Sequence, residues 1–309
     1  MSNRKKEGSD RYYLGIDGGG TKTHFVIINQ NADIVQESVV GPSSVDTVSF
    51  EISFQTISEA FESLRFTKQI SGIYAGIGGI ASENDQEKYE TGLRQMPFFS
   101  RCKYIEVRND VYGALASGNG TLQGMALILG TGSVCFGINN DKTWRCGGFH
   151  YKEGDAGSAF DVGFHALKYY ARVLDGRYPQ SSFSDAIKNH LNITMFSELV
   201  SYFNNLSRTD VAKIAPLVTG FGRVNQHAYK ILLEAAEEVR LLVEGVYRNL
   251  DFGITTLVVI GGIGTADTLY KELFAASIRR ISSQITIIQP LYTPARACAL
   301  LAKDFVEKI

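Results

Sequence analysis

Residues 13–30 read YLGIDGGGTKTHFVIINQ: an apolar run closing on one carboxylate, Asp17, then Gly18, Gly19 and Gly20, then Thr21, Lys22 and a second apolar run. Two strand-length apolar runs around a glycine-rich turn predict a β-hairpin. A plain hairpin closes with a two-residue turn, so the triple glycine asks for a second use. Glycine carries no Cβ, and three in succession let the main chain approach a ligand closely and aim successive N–H groups at it, which suits phosphate oxygens. Thr21 and Lys22 would reach the same oxygens. Asp17, beside the turn, is placed to hold Mg²⁺ through water, because that ion keeps several waters and takes one or two carboxylates together with phosphates. A hairpin with a wide loop capped by Asp17 is the structural alternative for the motif taken alone.

The second half of the chain repeats the pattern. MALILGTGSVCFGIN at 125–139 overlays 13–29: an apolar run, a turn of Gly130, Thr131, Gly132 and Ser133, a second apolar run and a closing Ile-Asn. After the first hairpin come a strand at 34–40 and a helix at 51–65 with Ile52, Ile57, Phe61 and Leu64 at helical spacing. A strand at 70–77, a helix at 83–94, a strand at 103–107 and a short helix after Asp110 follow. After the second hairpin come strands at 143–147 and 255–260, a helix at 267–280, a strand at 284–288 and a helix from about 295. A helical insertion over roughly 156–250 interrupts that series. Within it Ser207 and Asp210 form a variant capping box opening 207–219, and Ile231, Leu232, Ala235, Val239, Leu242, Val243 and Val246 mark a core-facing helix over 226–250. The duplicated order predicts two α/β lobes with a cleft between them, 1–118 and 119–294, the last helix, about 295–309, packing back on the first lobe. A third glycine cluster, Gly261, Gly262 and Gly264, follows the apolar run LVVI and precedes a helix, a geometry that suits a nucleotide at a strand's carboxyl end.

Bulk composition limits the partners. The 309 residues carry a net charge of −1 with signs mixed throughout, so nothing electrostatic favours nucleic acid or an anionic membrane, and a small molecule is the expected substrate. No apolar stretch reaches the roughly 18 to 20 residues that span a bilayer, and the start MSNRKKEGSD lacks the apolar core of a signal peptide, so a cytoplasmic location is expected. Cys102, Cys135, Cys146 and Cys298 are scattered singly, which fits buried thiols and argues against a structural zinc or an iron–sulfur cluster built within one chain. His24, His165, His190 and His227 fall in strand or helix patterns, with no metal-ligand spacing among His, Cys and Glu.

Together DGGGTKT at 17–23, LGTGS at 129–133 and VIGGIG at 259–264 resemble the two phosphate motifs and the adenosine motif of the actin, Hsp70 and sugar kinase superfamily, in order and over essentially the whole chain. GGGTKT, RNDVYGALASG at 108–118 and CGGFHYKEGDAGSAFDVG at 146–163 further resemble the N-acetylglucosamine kinase branch of the BadF/BadG/BcrA/BcrD family. The resemblance implies an α/β fold of two ribonuclease H-like (actin-like ATPase) domains and an ATP-dependent carbohydrate kinase using Mg²⁺. It also carries an expectation of a homodimer. ATP would be held by Gly18, Gly19, Gly20, Thr21, Lys22, Gly130, Thr131, Gly132, Ser133, Gly261, Gly262 and Gly264, with Mg²⁺ on Asp17.

Phosphorylating a sugar needs a base near the attacking hydroxyl and donors on the polyphosphate. Asp110 is the candidate catalytic base: it follows the strand YIEV and precedes a short helix, and N-cap of that helix is its structural alternative. By the same match Asn109, Asp110, Ser44, Gly78, Gly79, Gly148, Phe149 and Asp155 would line the sugar site. Asp155 would accept hydrogen bonds from sugar hydroxyls, since an ionised acceptor can take two donors, or else cap a helix. His150 falls in this loop, and Trp144 reads as core or rim. Two departures bear on which sugar is used. Ser44 stands where the family usually has an asparagine, and Ala75-Gly76-Ile77-Gly78-Gly79 supplies backbone where a hydroxyl side chain would match. N-acetylglucosamine is the expected acceptor, with glucosamine, another hexose, a partner-activating ATPase or a non-catalytic sensor as alternatives.

Overall fold

The computed structural model describes residues 11–149 and 155–308, and His150 lies outside them. The chain divides into two compact units, Met1–Leu122 with Pro290–Ile309, and Gln123–Gln289.

In the first unit the glycine stretch is a hairpin. β1 (Tyr12–Gly18) pairs antiparallel with β2 (Thr23–Asn29), which pairs with β3 (Ile34–Val40); after α1 (Phe50–Ser63), β4 (Ile70–Ile77) lies parallel to β1. Then α2 (Glu83–Gln95), β5 (Tyr104–Arg108) and α3 (Asp110–Ala116) complete a sheet of order β3-β2-β1-β4-β5. β1 and β2 read as unbroken apolar runs because both faces are covered. Leu14, Ile16, Phe25 and Ile27 bury one face with Ile57, Phe61, Tyr89 and Leu93, and Tyr13, Val26 and Ile28 bury the other with Ala295, Cys298 and Leu301.

The second unit repeats this order. β6 (Gly124–Leu129), β7 (Ser133–Asn139) and β8 (Lys142–Gly147) form an antiparallel meander, and β9 (Thr255–Ile260) and β10 (Ile285–Ile288) join through β6 to give β10-β9-β6-β7-β8. Among the described residues the helices that intervene are α4 (Ala159–Leu174), α5 (Ser182–Leu191), α6 (Phe196–Asn204), α7 (Arg208–Ala212), α8 (Ala215–Phe221) and α9 (Gln226–Asn249). β9 (Thr255–Ile260) is parallel to β6 and to β10 (Ile285–Ile288), with α10 (Gly262–Thr265) and α11 (Leu269–Arg279) between them. The stretch 207–219 is not one helix. It ends at Lys213 and restarts as α8 with Pro216 in the first turn, where a missing N–H costs nothing.

α12 (Pro294–Lys308) belongs to the first unit and packs on β1, β2 and β4. Its approach needs glycine beneath it: a Cβ at Gly15 would fall on Ala295 O and Ala299 N, and one at Gly72 would stand 2.6 Å from Val306 and 3.1 Å from Ala302 O. Near its end Phe305 stacks on Tyr74 and Tyr104, with ring centroids 6.3 and 5.2 Å apart. Among the described residues no helix is long and apolar enough to cross a membrane.

Candidate active site

In the first unit the strand ends β1 and β4 and the start of α3 converge. Gly78 N–H donates to Gly18 O at 2.8 Å, and the N–H groups of Ser43 and Ser44 both donate to Gly19 O at 3.2 Å, tying the glycine turn to the loop after β3. Gly19 N–H donates to Lys22 O at 3.0 Å, so one of the three glycine amides closes the turn rather than facing a ligand. Thr21 and Lys22 are exposed at its tip, whereas Thr23 is buried and bonds Gly41 O and Ser43 Oγ.

Asp110 sits on the same surface. A Cβ at Gly78 would stand 2.6 Å from Ser44 Oγ and 3.4 Å from a carboxylate oxygen of Asp110, and one at Gly76 would stand 3.3 Å from the Asp110 Cα. The absence of side chains at these two positions is what leaves room for the carboxylate. Asp110 is not the cap of α3. Asn109 is: its Oδ1 accepts from Val111 N at 3.4 Å while its Nδ2 donates to Ile80 O at 3.0 Å. The amide of Asn109 is thereby spent on holding the strand-to-helix corner, and Asp110 is the acidic residue of the first turn. Ser44 is buried, and its Oγ accepts from Asp46 N at 3.4 Å. Gly79 adopts φ +83°, a turn conformation that glycine takes without strain.

Asp17 and Asp110 act on each other. Burial, then the charge of Asp110, pushes the Asp17 carboxyl from 3.8 up to about 7, with Lys22 pulling the other way. Cys298, which sequence reasoning passed over, lies beneath the pair: its Sγ is 3.7 Å from where a Gly76 Cβ would stand, and burial together with the charge of Asp17 pushes its thiol well up. A buried carboxylate facing a second one, as Asp17 faces Asp110, fits a divalent cation, and oxygen donors suit Mg²⁺. Among the described residues no three His, Cys, Asp or Glu side chains gather to hold a metal, so such an ion would need water and phosphate to complete its shell.

In the second unit the matching turn is tied to α4. Gly130 N–H donates to Gly132 O at 2.9 Å, and the carbonyls of Gly130 and Thr131 accept from Ala159 and Phe160, the first amides of the helix. Ser133 is buried, with its hydroxyl on Ala156 O at 2.8 Å and its N–H on Asp155 Oδ1 at 3.2 Å. Asp155 does not cap α4; Ser158 does. The Asp155 carboxylate instead pairs with Arg208 at 2.5 Å, and a Cβ at Gly132 would strike both side chains. Arg208 lies 53 residues from Asp155, and no local sequence signal brings them together. Thr131 is exposed beside them.

The remaining predicted positions differ in kind. Gly261 and Gly264 are explained by packing, since a Cβ at Gly264 would stand 2.9 Å from Leu129 Cβ and one at Gly261 would overlap Leu129 O; a Cβ at Gly262 would meet open space. Gly148 is held by Arg145, whose Nη2 donates to Gly148 O at 2.6 Å. Phe149 is 77% exposed, and it follows Gly147 and Gly148 at φ +74° and +67°. Trp144 is exposed on β8, at the sheet's rim.

Comparison with known proteins agrees with this layout. The model of the BadF/BadG/BcrA/BcrD ATPase family matches residues 14–302. The N-acetylmuramic acid/N-acetylglucosamine kinase of Clostridium acetobutylicum is 28% identical over 274 residues, covering 85% of this chain and 89% of the relative. The N-acetyl-D-glucosamine kinase of Dictyostelium discoideum is 24% identical over 315 residues, covering 95% and 98%. The solved structure of a candidate N-acetylglucosamine kinase from Chromobacterium violaceum superposes with a TM-score of 0.75 at 23% identity, covering 95% of this chain and 99% of that one, a likeness that shows the fold.

Proposed function

Since the chain belongs to the BadF/BadG/BcrA/BcrD ATPase family, we propose that it is an ATP-dependent amino-sugar kinase, transferring a phosphoryl group to a primary hydroxyl, with N-acetylglucosamine the leading acceptor. The observation that carries this reading is the Asp110 carboxylate at the corner bounded by Ser44 and Gly78, in electrostatic contact with Asp17 at the end of the glycine hairpin. Both relatives are named as kinases of N-acetylated amino sugars.

In this mechanism Asp110 accepts the proton of the attacking hydroxyl as the bond to phosphorus forms. It stands in the first turn of α3, at a corner fixed by Asn109. Gly78 keeps the surroundings of that carboxylate clear of a further side chain. The turn 18–22 of the first unit would take phosphate oxygens of the nucleotide, and Asp17 would hold Mg²⁺ through water, an ion that offsets charge on the polyphosphate. Within the second unit Asp155 and Arg208 stand beside the turn 130–133 as an acceptor and a donor.

The alternative of an ATPase that activates a partner through a shared metal cluster is disfavoured by the thiols. Cys102, Cys135 and Cys298 are buried and Cys146 is half-buried, leaving no exposed pair to hold a cluster between subunits. A panel of N-acetylglucosamine, glucosamine and glucose, assayed for ATP consumption and for sugar phosphate by ³¹P NMR, tests the proposal. N-acetylglucosamine should stimulate turnover with a matching yield of phosphate ester. ATP turnover indifferent to every sugar would refute it.

A further inference from the structure

Away from Asp110, helices α4 and α9 flank a cavity of about 300 Å³ within the second unit. Its walls carry three permanent cations, Lys168, Arg172 and Lys230, two imidazoles, His165 and His227, and a single carboxylate, Glu234. Lys168 and Arg172 stand four residues apart on α4, where like charges repel, and Lys230 faces them from α9.

Glu234 is the one carboxylate in the cavity wall, and Asp175, at the C-terminal end of α4, also acts on Arg172. Glu234 lies 3.7 Å from Lys230, well beyond the roughly 2.7–2.9 Å of a strong charge-assisted bond. Arg172 rests over the Tyr178 ring at 5.7 Å and Lys168 over the Phe164 ring at 5.0 Å. Aromatic faces hold a cation in place while leaving its charge free to act on a ligand. The wall behind them is stiff: the His227 ring packs between Tyr169 and Tyr178, with centroids 4.8 and 4.5 Å away, and Tyr169 is itself buried against Phe183. At one end His165 pairs with Asp161, its Nδ1 3.1 Å from the carboxylate, which holds the imidazole proton more firmly than usual.

We propose that this cavity binds a small phosphate monoester or free phosphate, with Lys168, Arg172 and Lys230 as its ligands. A phosphate presents a compact dianion with three equivalent acceptor oxygens, which a guanidinium fork and two ammonium groups match in number and charge. The volume accommodates a body of hexose size, at the lower end of small-molecule sites. No residue of the Asp110 corner lines the cavity, so occupancy would modulate the protein rather than take part in phosphoryl transfer. The proposed reaction yields an ester of this class, but binding here needs no turnover and stands apart from the kinase reading.

Isothermal titration of the full chain with inorganic phosphate and with N-acetylglucosamine 6-phosphate, in low-salt buffer free of phosphate, tests the proposal. Wild type and Asp110→Asn should both show the binding event. Arg172→Glu/Lys230→Glu should weaken it by about tenfold or more, and the milder Lys168→Gln should weaken it in the same direction. Tighter binding of the ester than of phosphate identifies the ester as the occupant, and equal binding identifies the free ion. Titrations of wild type and the double variant that superimpose, or wild type giving no heat with either probe, would overturn the assignment.

Discussion

Replacing Asp17 by asparagine separates what this carboxylate costs the fold from what it does for the site. In the unfolded chain Asp17 loses its proton near 3.8, whereas in the folded protein burial and the neighbouring Asp110 hold the proton up to about 7. Between those values the folded state binds a proton that the unfolded state has released, so stability falls as pH rises through this window and the penalty is complete above it. About three pH units, at about 1.4 kcal/mol each, set the penalty at about 4 kcal/mol. The asparagine side chain would be neutral at every pH and nearly the same shape. The Asp17→Asn protein should therefore match wild type near pH 4 and exceed it by up to about 4 kcal/mol at pH 8, while losing phosphoryl transfer. Urea unfolding in EDTA at pH 4, 6 and 8 measures the difference. Adding Mg²⁺ and ATP should narrow the gap at pH 8 by stabilising wild type alone. A variant no more stable than wild type at pH 8 would refute the argument that burial, with Asp110 beside it, makes the ionised Asp17 carboxylate costly.

Other perturbations follow from single contacts. Gly15→Ala puts a methyl group into the backbone of α12, which cannot yield as a side chain can, so a loss of about 3 kcal/mol and a lowered melting temperature are expected. Arg208→Ala strands the buried Asp155 carboxylate and should cost about 2–3 kcal/mol, with a raised KM for ATP as the functional signature. Because Asp161 raises the affinity of His165 for its proton, this pair stabilises the protein at low pH and loses that contribution as pH rises through the folded-state value. NMR titration should show the His165 midpoint above the usual imidazole range in wild type and lowered in Asp161→Asn.

The parts of this fold that could be read from the chain are those encoded locally. Paired apolar runs around Gly18–Gly20 and around Gly130–Ser133 announced two hairpins of the same kind, and both are there with the same five-strand order. Asp110 was legible because a carboxylate at a strand-to-helix corner is a local pattern, but its neighbour took the capping role. Asparagine and aspartate cap equally well, so the sequence alone could not divide the labour between Asn109 and Asp110. Contacts between distant segments were not legible. Arg208 reaches Asp155 only because α7 packs on α4, and Cys298 reaches the Asp17–Asp110 corner only because α12 crosses bare glycine backbone at Gly15 and Gly72. The break between α7 and α8 was missed because Pro216 sits where a first helical turn tolerates it, so the apolar spacing runs on undisturbed.

The most direct test of the account is the Asp110→Asn enzyme assayed with ATP, Mg²⁺ and N-acetylglucosamine, alongside calorimetric binding of the sugar. If Asp110 accepts the hydroxyl proton, turnover should fall by about 10²–10⁴-fold while sugar affinity changes little. An Asp110→Asn protein that phosphorylates the sugar at the wild-type rate would contradict the central claim.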